Sequence, residues 1–302
     1  MNIKDLDREE YILSGNSSCP GCPASLGFRL IGKAVGKNAI IVIPASCMTI
    51  IQGAYPNTAL ILPTLNIAFA ASAAAASGIS AALEIRGKNY PVIVYAGDGG
   101  TADIGLQALS GAAERNENIT YICYDNEAYQ NTGIQRSSAT PYGAWTTTTL
   151  KGKQERKKDV PKIMASHNIP YVATASVAYP TDFIEKVKKA IKIKGFKYIH
   201  LHAPCPTGWR FPSEKTIEVG RLAVQTGVWI LYEIENGILK LTGPSKNLLE
   251  KSARKPVREY LRAQGRFQYL SDEIVKNFCD DIEEKWNEIG MILNLQNHLS
   301  TT

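Results

Sequence analysis

The stretch from Pro91 to Gly133 sets the strongest limit on how this chain folds. It reads P-V-I-V-Y-A-G-D-G-G-T-A-D-I-G, continues through a helical run to Asn116, and resumes as I-T-Y-I-C-Y-D-N-E-A-Y-Q-N-T-G. Pro91–Ala96 is a short apolar run of β-branched and aromatic residues ended by glycines, the pattern of a strand buried on both faces. Ile104–Ala113 carries apolar residues at helical spacing, and Ile119–Tyr124 is a second buried run. A crossover of this kind is right-handed and makes its two strands parallel. Their C-terminal ends then share the sheet edge at which α/β folds bind ligands. That edge carries Asp98, flanked by Gly97 and Gly99, and Asn126. Both offer hard oxygens of the kind that Mg²⁺ takes alongside phosphate and water. The glycines let backbone N–H groups approach a phosphate-bearing ligand, and a helix starting near Thr101–Ile104 points its positive end at it.

Gly97-Asp98-Gly99 followed, after the crossover, by Asn126 resembles the diphosphate-binding motif of thiamine-diphosphate enzymes. The resemblance implies that Asp98, Asn126 and the backbone carbonyl of Ala128 hold Mg²⁺ on the cofactor. Many members have Asn-Asn where this chain has Asp125-Asn126.

The composition, 302 residues with 44% hydrophobic and 21% charged, suits one large or two small globular domains. The start, Met1 to Asp7, is charged and lacks the apolar core of a signal peptide. Ile67–Leu83 is the most apolar stretch, but serines and Gly78 interrupt its alanines, so it reads as a tightly packed buried helix rather than a membrane span. A cytoplasmic location is expected. The net charge of +6 is modest, the basic residues have no interleaved aromatics, and no nucleic-acid-binding module is recognised. The densest basic run, Lys151–Lys158, reads as a solvated or mobile loop; a basic face of this kind also suits an acidic partner such as ferredoxin.

Six cysteines stand at 19, 22, 47, 123, 205 and 279. In the cytoplasm such clustering points to metal or redox chemistry rather than disulfides. Cys19-Pro20-Gly21-Cys22 is a C-x₂-C loop. Cys47 follows the strand Ala39–Pro44 and Cys205 the strand Lys197–His202, which puts both on the edge that carries Asp98 and Asn126. Cys123 lies inside a strand and Cys279 in an amphipathic helix, so these two read as small buried hydrophobes. Four thiolates can hold Zn²⁺ or a [4Fe–4S] cluster, and the spacing does not choose between them.

Taken together, Cys19-Pro20-Gly21-Cys22, Pro44-Ala45-Ser46-Cys47, Gly97 to Asp103, Asp125 to Ser138, Ala203-Pro204-Cys205-Pro206-Thr207-Gly208-Trp209 and Glu259 to Phe267 resemble the β subunit of the 2-oxoacid:ferredoxin oxidoreductases, nearest the pyruvate-oxidising type, over almost the full length. The resemblance implies one [4Fe–4S] cluster on Cys19, Cys22, Cys47 and Cys205. It implies cofactor contacts from Cys47, Asn66, Gly97, Asp98, Gly99, Gly100, Asn126, Ala128 and Thr132, and a catalytic contact from Asn131. The implied reaction is oxidative decarboxylation of pyruvate, or of a branched 2-oxoacid, with coenzyme A taking the acyl group and ferredoxin the electrons. An α subunit supplies the activating glutamate, and ferredoxin-like γ and δ portions carry electrons onward. A zinc-stabilised, non-catalytic interaction subunit is the alternative from another class. Pro23 after Cys22, where relatives more often have Gly, and Ala70 after Ala68-Phe69, where many have Glu, depart from the family pattern.

The rest of the chain predicts a doubly wound, mostly parallel sheet. Val160–His167 reads as a helix, Tyr171–Ser176 as a strand and Pro180–Ile193 as a helix. Pro141–Lys158 reads as a polar loop able to act as a lid, and His200 and His202 as structural strand residues. Val228–Ile234 and Ile238–Leu241 make a hairpin, and Pro256–Leu270 and Ser271–Leu295 make two helices. The expected division is a cofactor- and cluster-binding α/β domain at residues 1–210 and a C-terminal extension at 211–302 packed on the same core.

Overall fold

The computed structural model describes Leu6 and residues 8–301, the last two of these by backbone alone; the charged start thus falls outside the described residues except for Leu6. In chain order the elements are α1 (Pro23–Val35), β1 (Ile40–Pro44), α2 (Cys47–Gln52), β2 (Thr64–Ile67), α3 (Ser72–Ile85), β3 (Val92–Gly97), α4 (Leu106–Glu114), β4 (Thr120–Asp125), α5 (Val160–Ala165), β5 (Tyr171–Ser176), α6 (Pro180–Ala190), β6 (Lys197–His202), α7 (Pro206–Trp209), α8 (Thr216–Gln225), β7 (Tyr232–Glu235), β8 (Ile238–Leu241), α9 (Val257–Arg262) and α10 (Asp272–Thr301). One eight-stranded sheet runs β2-β1-β3-β4-β6-β5-β7-β8. Its first six strands are parallel, while β7 and β8 form an antiparallel edge.

The period of two along each strand sorts side chains to two layers. Ile41, Ile43, Ile93, Tyr95, Tyr124 and Leu201 pack with Phe28, Ile31, Met48 and Phe183 on one face. Val42, Val94, Tyr121, Cys123 and Tyr198 pack with Ala76, Leu109, Val160 and Met164 on the other. A third apolar cluster, including Trp209, Leu231, Tyr260, Phe278 and Trp286, joins α7–α10 to the antiparallel edge. Under α10 lies a cavity of about 620 Å³ walled by Trp229, Tyr232, Tyr260 and Phe278, with Glu127, Lys157 and His200 at its lining; neither Asp98 nor any of the four candidate ligand thiols borders it.

Four expectations are corrected. The alanine-rich stretch does not begin a helix at Ile67: Thr64–Ile67 is the edge strand β2, and α3 starts at Ser72. Only one face of α3 is buried, through Ser72, Ala73, Ala76 and Ser77, because the helix packs on β1 and β3 beside α4 and, among the described residues, nothing in this chain covers its outer side. The first hairpin arm begins at Tyr232; Trp229, Ile230 and Leu231 are drawn into the C-terminal cluster instead. The helix expected to reach Leu270 stops at Arg262, and Gly265–Phe267 form only a 3₁₀ turn. Among the described residues no helix is long and apolar enough to cross a membrane.

Candidate active site

β1 leads to β2 on one side while β3 leads to β4 on the other, so the order of the sheet reverses between β1 and β3. Doubly wound sheets form their ligand crevice at such a reversal. Asp98 follows β3, Cys47 follows β1, and Asn126 follows β4. The backbone leaves β3 directly into a helical turn that widens to π geometry over Gly100–Ile104 before α4. Such widened turns recur at functional sites. Any side chain at Gly99 would have to displace Tyr129, because a Cβ would lie 2.3 Å from its ring.

The Asn126 Oδ1 faces the Asp98 Oδ1 at 2.8 Å and the Ala128 carbonyl oxygen at 2.9 Å. Three acceptors with no donor between them repel. Turning the amide over relieves this, and a divalent cation does so with all three oxygens as ligands, so the donor set fits Mg²⁺. Local geometry builds the trio. Asp125 Oδ1 accepts the Glu127 N–H at 3.1 Å, and Glu127 takes a left-handed φ of 62°, in the tight turn that leads to the Ala128 carbonyl. The Ser137 hydroxyl donates to Asp98 Oδ2 at 2.5 Å. Burial, followed by the charge of Asp125, pushes the Asp98 carboxyl well above the usual carboxylate range, the cost of holding this acid without a cation.

The other expected contacts are distributed as follows. Gly97, Gly99 and Gly100 line the turn at Asp98. Asn66, on β2, is exposed and donates to Gln52 Oε1 at 2.8 Å. Asn131 and Thr132 are exposed on the loop past the oxygen trio, with the Thr132 hydroxyl donating to Gln135 Oε1 at 2.6 Å. The structure therefore brings Asp98, Asn126 and Ala128 together and leaves Asn66, Asn131 and Thr132 at the rim.

Cys22 caps α1, where Pro23 takes the first helical position that suits its fixed φ, which accounts for the departure at that residue. Cys47 opens α2, and Cys205 caps α7 with its Sγ accepting the Gly208 N–H at 3.4 Å. Burial pushes the Cys47 thiol up to about 12, reinforced by Cys205, Cys22, Asp98 and Cys19. Burial also raises Cys205 to about 12, with Cys22 and Cys19 adding to it. The four thiols thus lie in mutual electrostatic reach, and Cys47 is also in reach of Asp98. Among the described residues, no three His, Cys, Asp or Glu side chains gather closely enough for a single metal ion. Cys123 is buried in β4, whereas Cys279 is only half-buried against the C-terminal cluster.

Behind the Asp125–Ala128 loop lies an ion network that sequence reasoning missed. Lys157 Nζ is 2.5 Å from Asp125 Oδ2 and 2.6 Å from Glu127 Oε1, and Arg266 Nη2 is 2.5 Å from Glu127 Oε2. His200 Nε2 meets Asp125 Oδ2 at 2.8 Å. Burial opposes every charge here. The Lys157 ammonium nevertheless holds Asp125 well below the usual range, and Lys157 itself is raised by the two carboxylates. The basic run is therefore only partly solvated: Lys151 and Arg156 are exposed, but Lys153 and Lys157 tie the segment down, so it is not a free lid. Lys153 is 1% exposed and donates to the carbonyls of Ser138 and Thr140, while Lys157 compensates the buried charge of Asp125. His202 is fully buried with both ring nitrogens unpartnered, and burial lowers its pKa to about 3. Lys157→Met should cost about 3–5 kcal/mol of stability, since it strands a buried carboxylate. The same change in an Asp125→Asn background should cost clearly less, as denaturant unfolding of the four proteins will measure; equal losses would remove this account.

Residues 45–201 match the C-terminal TPP-binding domain of thiamine pyrophosphate enzymes. The pyruvate synthase subunit PorB of Methanothermobacter marburgensis is 54% identical across 89% of this chain and 93% of its own length. The ketoisovalerate oxidoreductase subunit VorB of Pyrococcus horikoshii is 51% identical across 93% of each. In fold, the chain resembles a solved 2-oxoglutarate:ferredoxin oxidoreductase from Magnetococcus marinus, with a TM-score of 0.57, 21% identity, and coverage of 72% of this chain and 82% of that one. With the crevice, its oxygen trio and identity at this level over nearly the whole length, the chain belongs to the β subunits of the 2-oxoacid:ferredoxin oxidoreductases.

Proposed function

We propose that the chain is the diphosphate-binding, cluster-carrying half of an enzyme that oxidatively decarboxylates pyruvate or a branched 2-oxoacid with coenzyme A and passes electrons to ferredoxin. The observation that carries this reading is the meeting of the Asp98 carboxylate, the Asn126 amide and the Ala128 carbonyl at the sheet's reversal point, with Cys47 in electrostatic reach of Asp98 and of the other three candidate thiols. Thiamine diphosphate bound there supplies the carbanion-stabilising chemistry that releases CO₂, and a [4Fe–4S] cluster on Cys19, Cys22, Cys47 and Cys205 supplies one-electron transfer. This chain's part is to hold Mg²⁺ through Asp98, Asn126 and Ala128, and to present amides of the turn after Gly97 to the diphosphate. Asn131, Thr132 and Asn66 contact cofactor or substrate from the rim. Residues 1–210 carry both centres, and 211–302 brace them. Names at 54% and 51% identity point to pyruvate and to ketoisovalerate respectively, so both substrates belong in the test.

The activating glutamate comes from an α subunit, with γ and δ portions relaying electrons. The chain alone, given thiamine diphosphate and Mg²⁺, should therefore show no decarboxylation. Co-purified with its partners, it should reduce ferredoxin or a viologen with a 2-oxoacid and coenzyme A. Turnover by the chain alone would defeat the half-site reading, and a colourless, zinc-containing preparation would favour a non-catalytic subunit.

A further inference from the structure

We infer that α7, through the indole of Trp209, couples the thiol cluster to the metal-binding loop, so that filling one centre alters the other. This rests on the cofactor reading above. α7 is a single turn with a candidate cluster ligand at one end and Trp209 at the other. At its start, Cys205 Sγ accepts the Gly208 N–H, and the Cys205 carbonyl accepts the Trp209 N–H at 2.9 Å. At its end, Trp209 is fully buried and its Nε1–H donates to the backbone carbonyl of Asn126 at 2.8 Å. Asn126 is the residue whose side-chain oxygen faces Asp98. A thiol and a metal-facing residue are thus joined by one helical turn and one hydrogen bond.

The turn cannot slide independently of the loop. Gly208 lies so close to it that a Cβ would fall 1.8 Å from Gln130 Oε1, and Gln130 Nε2 donates to the same Asn126 carbonyl at 2.7 Å. The indole is held from its face by the Arg266 guanidinium, 3.7 Å from the ring centroid, and Arg266 also pairs with Glu127 of the metal loop. Drawing Cys205 onto a cluster fixes α7, and α7 fixes the carbonyl around which the metal loop turns. Close-packed contacts transmit such displacements. By thermodynamic reciprocity, loading Mg²⁺ and thiamine diphosphate must act back on the cluster to the same extent.

Trp209→Phe keeps an aromatic face beneath Arg266 and removes the indole donor together with part of its volume, a loss that the control variant shares. Trp286→Phe is the control, because Trp286 is equally buried and donates to the Gly227 carbonyl at 2.9 Å, outside both centres. The anaerobically purified complex of each is assayed for iron and acid-labile sulfide. Mg²⁺-dependent thiamine diphosphate affinity is measured by calorimetry, and the reduced cluster by its electron paramagnetic resonance difference spectrum on adding Mg²⁺ and thiamine diphosphate. In wild type the cofactor should change that spectrum. In Trp209→Phe the iron content should match wild type, the spectral response should vanish, and affinity should fall by about two- to tenfold, the range that one buried neutral hydrogen bond carries. Trp286→Phe should keep the full response even where its unfolding midpoint drops. A full response in Trp209→Phe, or none in wild type, overturns the coupling while leaving the cofactor reading in place. A wild-type complex whose β chain binds no iron overturns the cofactor reading and the coupling with it.

Discussion

Asp98→Asn should abolish Mg²⁺-dependent binding of thiamine diphosphate without unfolding the protein. The carboxylate is buried, receives the Ser137 hydroxyl on one oxygen and presents the other to Asn126 and, beyond it, the Ala128 carbonyl. An amide has the same shape but no charge. Removing even an outer partner of a bound metal costs about 10–100-fold in affinity, so loss of a direct charged ligand should exceed about 100-fold. The empty protein should respond in the opposite sense. A buried acid without a counter-cation is a burden, which the elevation of Asp98 by burial and by Asp125 expresses, and the neutral amide removes it. Calorimetric titration should then show no cofactor binding, while the melting temperature of the empty protein is unchanged or higher. Retained binding in Asp98→Asn would mean that the metal site has been placed on the wrong residues.

Cys205→Ser is expected to have the second large effect. Cys19 and Cys22 sit within one loop and can hold metal locally, but a cubane needs four protein thiolates, or three and an outside ligand. Cys205 is half-buried within electrostatic reach of Cys22 and Cys19 and receives a backbone N–H on its sulfur, one of the interactions that tune cluster potentials. Its loss should give a protein whose cluster is labile or degraded and whose ferredoxin reduction is gone, while Mg²⁺ and thiamine diphosphate still bind. Cys279→Ser should alter neither and cost at most about 1 kcal/mol, because that thiol is half-buried on α10 far along the chain from the sheet edge. Iron analysis and the visible spectrum of the two variants decide the matter. Bleaching by Cys279→Ser with colour retained in Cys205→Ser would sink the ligand set.

The site was legible wherever chemistry and strand ends coincide in the sequence. Gly97-Asp98-Gly99 and Asn126 flank one crossover, so their shared edge follows from the handedness and parallelism of that unit alone. Cys47 and Cys205 were readable in the same way, three residues past Pro44 and His202. The buried ion network was not legible. Lys157 looks like any member of a basic surface run until Asp125 and Glu127 are seen opposite it, and nothing local marks Arg266, 139 residues from Glu127, as its partner. Long-range pairs of opposite charge leave no periodic trace.

Apart from the short edge strand β2, the sequence by itself determined the strands, the Gly turn and the donor types, because hydrophobic period, glycine placement and side-chain chemistry are local properties of the chain. Only the tertiary structure decided which of these ends meet. β6 inserts between β4 and β5 rather than following β5 outward, so His202 lies in register with Asp125 and Cys205 emerges beside the loop of Asn126. With β5 in that place, Cys205 and Trp209 would stand one strand further out, beyond reach of Asn126. The order of parallel strands is settled by how the helical layers cover both faces of the sheet together, and no window of sequence contains that sum.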